Sequence, residues 1–286
     1  MGASTAERRA TMMFDTFREI DEIPEKLIGY VADSPLGKAA EQWDIPNDDI
    51  MDELLELDFN TIKIDDVGEI YSENGELKPN ATYILNNTIY KTDDMGRITD
   101  CEAVPQYNPD NSRDNQEQRI AGGEDRQPGD QGGHLLGRDI NGDPGIGNMI
   151  AMDSRINQSD YKRMENDVKA ELEAGKDVSM KIHIMYPDES KRPDKIIVNV
   201  VTEEKNIVYK FDNNLDGKLL TDVPPKGIEN VQQILKDTNG QISSIKEEYD
   251  KYGNLEKTTV CITYTAESDE GQKTYRTYCV IDSRED

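Results

Sequence analysis

The chain holds two histidines, His134 and His183, and only His134 stands among residues that could share a reaction with it. It closes the run Asp130-Gln131-Gly132-Gly133-His134. Gly147-Asn148 comes next, and then Asn157, Tyr161 and Glu165 at four-residue spacing, with nine residues from Asn148 to Asn157. Breaking a phosphodiester takes a nucleophilic water, a base to deprotonate it and positive charge on the phosphoryl and leaving oxygens. An imidazole titrates near neutrality and suits the base. An asparagine oxygen is a neutral ligand for a hard cation such as magnesium, which tolerates few protein ligands and keeps its waters. The glycines before His134 would let backbone approach a bulky polyanion. Residues 157, 161 and 165 would share one face of a helix and converge on one metal. Each residue also has a plainer reading. His134 could be an ordinary loop histidine, Asn157 a helix N-cap, Glu165 part of a solvated helix face, and Arg126 and Arg163 surface charge.

These residues need elements to place them. Met164, Val168 and Leu172 recur at four-residue intervals, which predicts one helix over 157–174, ended by Gly175. Strand-like runs follow at Val178–Met185, Lys195–Val201 and Ile207–Phe211, and His183 falls in the first as a structural residue. Residues 105–133 are rich in proline and glycine and form a loop leading to His134. Residues 61–104 read as strands with turns at Asn74-Gly75 and Asn86-Asn87. Residues 12–58 read as helical. The stretch 224–286 predicts a short helix near Ile228–Leu235 and a hairpin of Val260–Thr265 with Thr274–Ile281. Centred on Glu270, that hairpin sets Cys261 opposite Cys279, either bridged or kept reduced. Two acidic runs, from Asp139 to Asp143 and from Asp212 to Gly217, lack the closing glutamate of a calcium loop and read as turns.

Composition sets limits. Hydrophobic residues are 35% and charged residues 32% of 286, and no run of about 18 apolar residues suggests a membrane span. Three cysteines without CxxC spacing make neither a disulfide scaffold nor, with two histidines, a zinc site. No apolar stretch follows Arg8 and Arg9, so a standard secretory signal is not expected. The formal charge is -26, unusual for a binder of polyanions. Residues 1–118 carry 27 acidic against 10 basic side chains, whereas residues 119–205 carry 17 against 13. The acidity therefore lies mostly ahead of the candidate site.

The segment from Gly122 to Glu165 resembles the DNA/RNA non-specific endonucleases of the ββα-metal (His-Me finger) class. It is most like the nuclease toxins of Gram-positive bacteria, whose motif runs Asp-Asp-Gly-Gly-His-Leu-Ile. The likeness spans roughly residues 77–211. It implies His134 as general base, Asn157 as ligand of a magnesium ion (manganese as substitute), Glu165 on the metal's waters and Asn148 near the scissile phosphate. Arg126, Arg163 and Lys169 become candidates for phosphate contacts. Better-known secreted members carry Asp-Arg-Gly-His, where this chain has Gln131 and Gly132. The arginine beside the histidine is missing, and Arg126 or Arg119 would have to replace it.

The fold expected is α+β, a ββα-metal core with a mixed or antiparallel sheet. Residues 1–60 would form a helical region or linker, 61–215 the nuclease domain with its core at 119–211, and 216–286 a β-rich accessory region. The expected activity is non-specific cleavage of DNA or RNA by a bacterial toxin effector. It would be exported without a standard signal, act in a target cell's cytoplasm, and be held in check by a cognate immunity protein. Against this stand a catalytically inactive nuclease-like binding or structural module and an antitoxin or adaptor built on the acidic first 118 residues.

Overall fold

The structure is a computed structural model describing residues 62–109, 117–268 and 271–284. The helical segment expected over 1–60 lies outside these residues. The chain divides between Lys78 and Pro79.

In the first unit, β1 (Ile62–Ile64), β2 (Ile70–Glu73) and β3 (Glu76–Leu77) form a small antiparallel sheet. The β2–β3 connection is Asn74-Gly75, both with positive φ (55° and 78°). A two-residue turn with two left-handed positions matches the twist of its strands, which is why Asn-Gly is found there.

The second unit is built on one antiparallel sheet of nine strands. They are β4 (Thr82–Leu85), β5 (Thr88–Thr92), β6 (Ile98–Ala103), β9 (Ser179–Met185), β10 (Lys195–Val201), β11 (Lys205–Asp212), β12 (Gln241–Asp250), β13 (Leu255–Ser268) and β14 (Gly271–Asp282). Their order is β14-β13-β12-β11-β10-β9-β6-β5-β4. The expected boundary near residue 215 is crossed by hydrogen-bonded strands, because β11 pairs with β12 from Lys205 to Phe211. The C-terminal strands therefore extend the sheet of the domain they follow.

Between β6 and β9 the chain forms a short helix α1 (Glu117–Ile120), a two-stranded ribbon of β7 (Asp130–His134) and β8 (Met149–Asp153), and a helix. That helix opens with a π turn, Ile156–Tyr161, and continues as α2 (Lys162–Glu173). A last helix, α3 (Ile228–Thr238), precedes β12.

Side-chain alternation assigns the helices to opposite faces. One cross-strand row runs Tyr90, Cys101, Ile182, Val198, Tyr209, all buried. On this face Phe211 packs on Tyr161, with ring centroids 5.0 Å apart, and Tyr209 donates to Asp167 of α2 at 2.9 Å. The row continues into Lys246, Thr259 and Val280. It turns polar on these outer strands, with Val280 well exposed. On the other face α3 brings Val231 onto Ile245, Val260, Cys279 and Ile281.

His183 follows Ile182 in β9 and so points to the opposite face from that row. It is exposed and sits 3.0 Å from Asp100 across the strand pair. The hairpin expected near the C-terminus forms, but its register differs. Ser268 pairs with Gly271, so Cys261 pairs with Tyr278 and Cys279 with Val260. A one-residue shift puts side chains on opposite faces, so Cys261 faces the α2 side and Cys279 lies in the α3 core. All three cysteines are free and buried. Among the described residues no helix is long and apolar enough to cross a membrane.

Candidate active site

His134 is the last residue of β7, paired with Met149 of β8. Two glycines set how closely this ribbon packs. A Cβ on Gly132 would lie 2.6 Å from the Cα of Gln118 in α1, and one on Gly133 would lie 2.8 Å from Met152 Cβ. The glycines are therefore occupied by protein neighbours, and the expectation that they open the backbone to a polyanion is corrected.

β7 is anchored at its start by an ion pair. The Asp130 carboxylate takes two hydrogen bonds from Arg192, from Nε at 2.6 Å and Nη2 at 2.9 Å, and both side chains are almost wholly buried. Arg192 also donates from Nη2 to the Asn213 carbonyl at 2.9 Å and from Nη1 to Asn214 Oδ1. Buried charges persist only when their hydrogen-bonding capacity is filled, and here it fixes the ribbon to the end of β11.

The helix closes the site from the other side. Asn157, in the π turn, donates its Nδ2 to Gln131 Oε1 at 2.8 Å. Tyr161 donates its hydroxyl to the Leu135 carbonyl at 2.8 Å. Glu165 packs its carboxylate on Gly137, where an added Cβ would sit 2.7 Å from Glu165 Cδ. Residues 131, 135 and 137 bracket His134. The four-residue spacing thus delivers three side chains to the chain on either side of the histidine.

The remaining expected residues fall in different places. Asn148 is fully buried. Its Oδ1 accepts from Tyr90 Oη and from the Leu136 amide, each at 2.9 Å, while its Nδ2 donates to the Leu136 and Asp143 carbonyls at 2.9 and 2.8 Å. No polar side-chain atom is left for a phosphate, so the reading of Asn148 as a catalytic residue near the scissile phosphate is corrected: it clamps the loop that follows His134. Arg126 spends its guanidinium on carbonyls, with Nη1 on Gln118 and Arg119 at 2.8 Å and Nη2 on Asp130 at 2.6 Å. It ties α1 to β7 and does not replace the missing arginine. Arg119 is exposed, with its carbonyl held by Arg126.

Arg163 turns away from the histidine side. It lies 4.8 Å over the Tyr278 ring and 3.9 Å from Asp160, beside a cavity of about 520 Å³ between α2 and β11–β14. Lys169 faces the same way as Glu165 and pairs with Asp139 at 3.1 Å. Asp139 also holds Arg138 at 2.8 Å. The run Asp139–Asp143 is thus a turn with ion pairs, and at the second acidic run Asp212 accepts the amides of Asn214 and Gly217, both at 3.1 Å.

Burial raises the Glu165 carboxyl above the usual glutamate range; Lys162, 3.3 Å away, opposes this and Asp139 adds to it. Burial likewise pushes the Tyr90 and Tyr161 hydroxyls up, keeping both as neutral donors. For a cation, the atom on offer is Asn157 Oδ1. Its Nδ2 is committed to Gln131, and the oxygen has no hydrogen-bond partner among the described residues. These residues hold no group of three or more His, Cys, Asp or Glu arranged for a metal. A neutral amide oxygen as protein ligand fits a cation that retains most of its water. The contact of Gln131 with Asn157 is one the linear sequence conceals, since the two lie 26 positions apart.

Residues 79–204 match the profile of the DNA/RNA non-specific endonucleases. Two curated relatives, the type VII secretion system proteins EssD of Staphylococcus aureus strains USA300 and NCTC 8325 / PS 47, are each 34% identical over 140 residues. The match takes in 46% of this chain but only 23% of the relatives' length. Among solved structures, NucA from Streptococcus agalactiae with no metal bound is similar at a TM-score of 0.36 and 14% identity, over 57% of this chain and 92% of that one. The His134 ribbon and the helix that grips it lie wholly inside the segment that is similar to the DNA/RNA non-specific endonucleases.

Proposed function

We propose that this domain hydrolyses phosphodiester bonds of DNA, RNA or both, with His134 as the general base. The observation that carries this is the triple grip of Asn157, Tyr161 and Glu165 on the chain around His134. Tyr161 holds the backbone at Leu135, the residue after the histidine. His134 takes the proton of the attacking water. Asn157 would hold a magnesium ion through Oδ1, and Glu165 would support it from outside the direct ligands. When bound, the ion supplies positive charge to the phosphoryl and leaving oxygens. Lys162, Lys169 and Arg138, on the Glu165 side, are better placed than Arg126 to meet a phosphate. Contacts to the phosphate rather than to base edges would leave cleavage non-specific.

The likeness to type VII secretion system proteins supports the wider reading of a toxin effector. It would be exported, act in the cytoplasm of a target cell, and be neutralised in the producer by an immunity protein. The experiment is cleavage of plasmid DNA and of RNA at low salt with magnesium, with and without chelator, followed by expression in cells lacking any partner. Magnesium-dependent cutting and loss of viability are expected.

A second reading, a nuclease-like binding module without activity, is favoured by one observation: the guanidinium of Arg126 makes four hydrogen bonds to main-chain carbonyls. Metal binding without cleavage would support it.

A further inference from the structure

β13 and β14 lie beyond residue 204, outside the segment that matches the nuclease family, yet they touch the turn that carries the proposed metal ligand. Their α2-facing side chains include Cys261, Thr263, Arg276 and Tyr278, as the pairings Cys261 with Tyr278 and Thr263 with Arg276 require. Three contacts reach the π turn or the residues beside it. Arg276 donates from Nη2 to the Arg155 carbonyl at 2.9 Å. Its Nε stands 3.6 Å from Asp160 Oδ1, a carboxylate whose side chain is almost wholly buried. Cys261 Sγ is 3.5 Å from the same oxygen. Just past the turn, Arg163 lies over the Tyr278 ring.

A π turn is a rare insertion in a helix and needs outside support to persist. This one has a carbonyl, that of Arg155, drawn away by Ser159 Oγ and by Arg276. It also has a buried carboxylate, Asp160, with one oxygen lacking a hydrogen bond among the described residues. Arg276 donates to that carbonyl and stands within ion-pair distance of that carboxylate, although its buried Nε makes no hydrogen bond among the described residues. Asn157 lies between Arg155 and Asp160 in the same turn, so its orientation is set on one side by Gln131 and on the other by whatever holds those two residues.

We infer that Arg276 is a positioning residue: the C-terminal hairpin braces, through it, the π turn that presents Asn157. The inference rests on the reading of Asn157 as metal ligand. The test uses the full chain as wild type, Arg276→Met, Arg276→Lys and Asn157→Ala. Manganese binding is followed by loss of the free-ion paramagnetic resonance signal, and amide exchange is followed over residues 155–161. Support from outside the direct ligands is worth about 10- to 100-fold in metal affinity. Arg276→Met should therefore weaken manganese binding by about that factor and speed exchange in the turn, with the rest of the sheet still protected. Arg276→Lys, which can reach one acceptor but not both, should fall between, and it carries the comparison if Arg276→Met does not fold.

If wild type binds manganese, Asn157→Ala abolishes binding, and the Arg276 variants bind like wild type, the brace is refuted while the metal site stands. If wild type binds no manganese, the metal-ligand reading fails and the inference falls with it.

Discussion

Gln131→Met replaces the acceptor that holds Asn157 with a side chain of similar length and no hydrogen-bonding oxygen. Gln131 is half-buried, and the hydrogen bond it loses is between two neutral amides at 2.8 Å. Such a bond is worth about 1 kcal/mol net, so unfolding stability should fall by no more than about that amount. The larger effect is on the metal. With its Nδ2 released, the Asn157 amide can turn over and offer a nitrogen where a cation needs an oxygen, and its side chain regains rotamers. Losses of this kind weaken metal binding by about 10- to 100-fold, or roughly 1.4 to 2.7 kcal/mol. The low end applies here, because the partner is uncharged. The assay is the rate of plasmid cleavage against magnesium concentration. The half-saturating concentration should rise about tenfold, while the rate at saturating magnesium stays near wild type, since only metal binding is impaired. Gln131→Glu, which keeps an acceptor, should stay close to wild type. Unchanged magnesium dependence in Gln131→Met would refute the reasoning.

Glu165→Gln should lower cleavage by about 10- to 100-fold and stabilise the fold at neutral pH. Burial raises the wild-type carboxyl, so the folded state binds more protons than the unfolded one. Wild-type stability then falls as pH rises through that interval. The advantage of the Glu165→Gln variant should be full above the raised value and vanish below the unfolded one, as thermal unfolding against pH will show. The acid limb of activity should also lie above that of an ordinary glutamate. Arg192→Met strands Asp130 in a buried site and should cost about 3 to 5 kcal/mol in denaturant unfolding. Asn148→Ala removes four hydrogen bonds, three of them buried, at about 1 to 3 kcal/mol for each buried group that no water reaches. It should reduce stability or prevent folding, and a stable variant whose only defect is a raised KM would contradict the clamp.

Much of this site is legible in the sequence because it depends on short-range periodicity. The spacing of Asn157, Tyr161 and Glu165 sets them on one side of a helix, and the alternation of exposed and buried positions in β9 tells which of its residues face α2 and which, like His183, face outward. The Asn74-Gly75 turn is readable for the same reason. What is not legible depends on partners far along the chain. Asn148 looks like a polar residue near a reactive one until Tyr90, 58 positions earlier, is seen to hold it. Arg126 looks like a free cation until α1 supplies its carbonyls. Gln131 looks like a departure from a motif until Asn157 is found on it. The cysteine register fails for a narrower reason: a centre on Glu270 implies a different turn from the observed pairing of Ser268 with Gly271, and a shift of one residue moves a side chain to the other face.

The account stands on His134 as the base, and the most direct measurement is the rate of phosphodiester hydrolysis by His134→Ala against wild type at saturating magnesium. His134 sits at the end of β7 with its neighbours held by Gln131, Leu135 and Gly137 contacts, so the variant should fold and bind metal as wild type does. Its rate should drop by about 10²- to 10⁴-fold. Cleavage by His134→Ala at the wild-type rate, with the same magnesium dependence, would contradict the assignment.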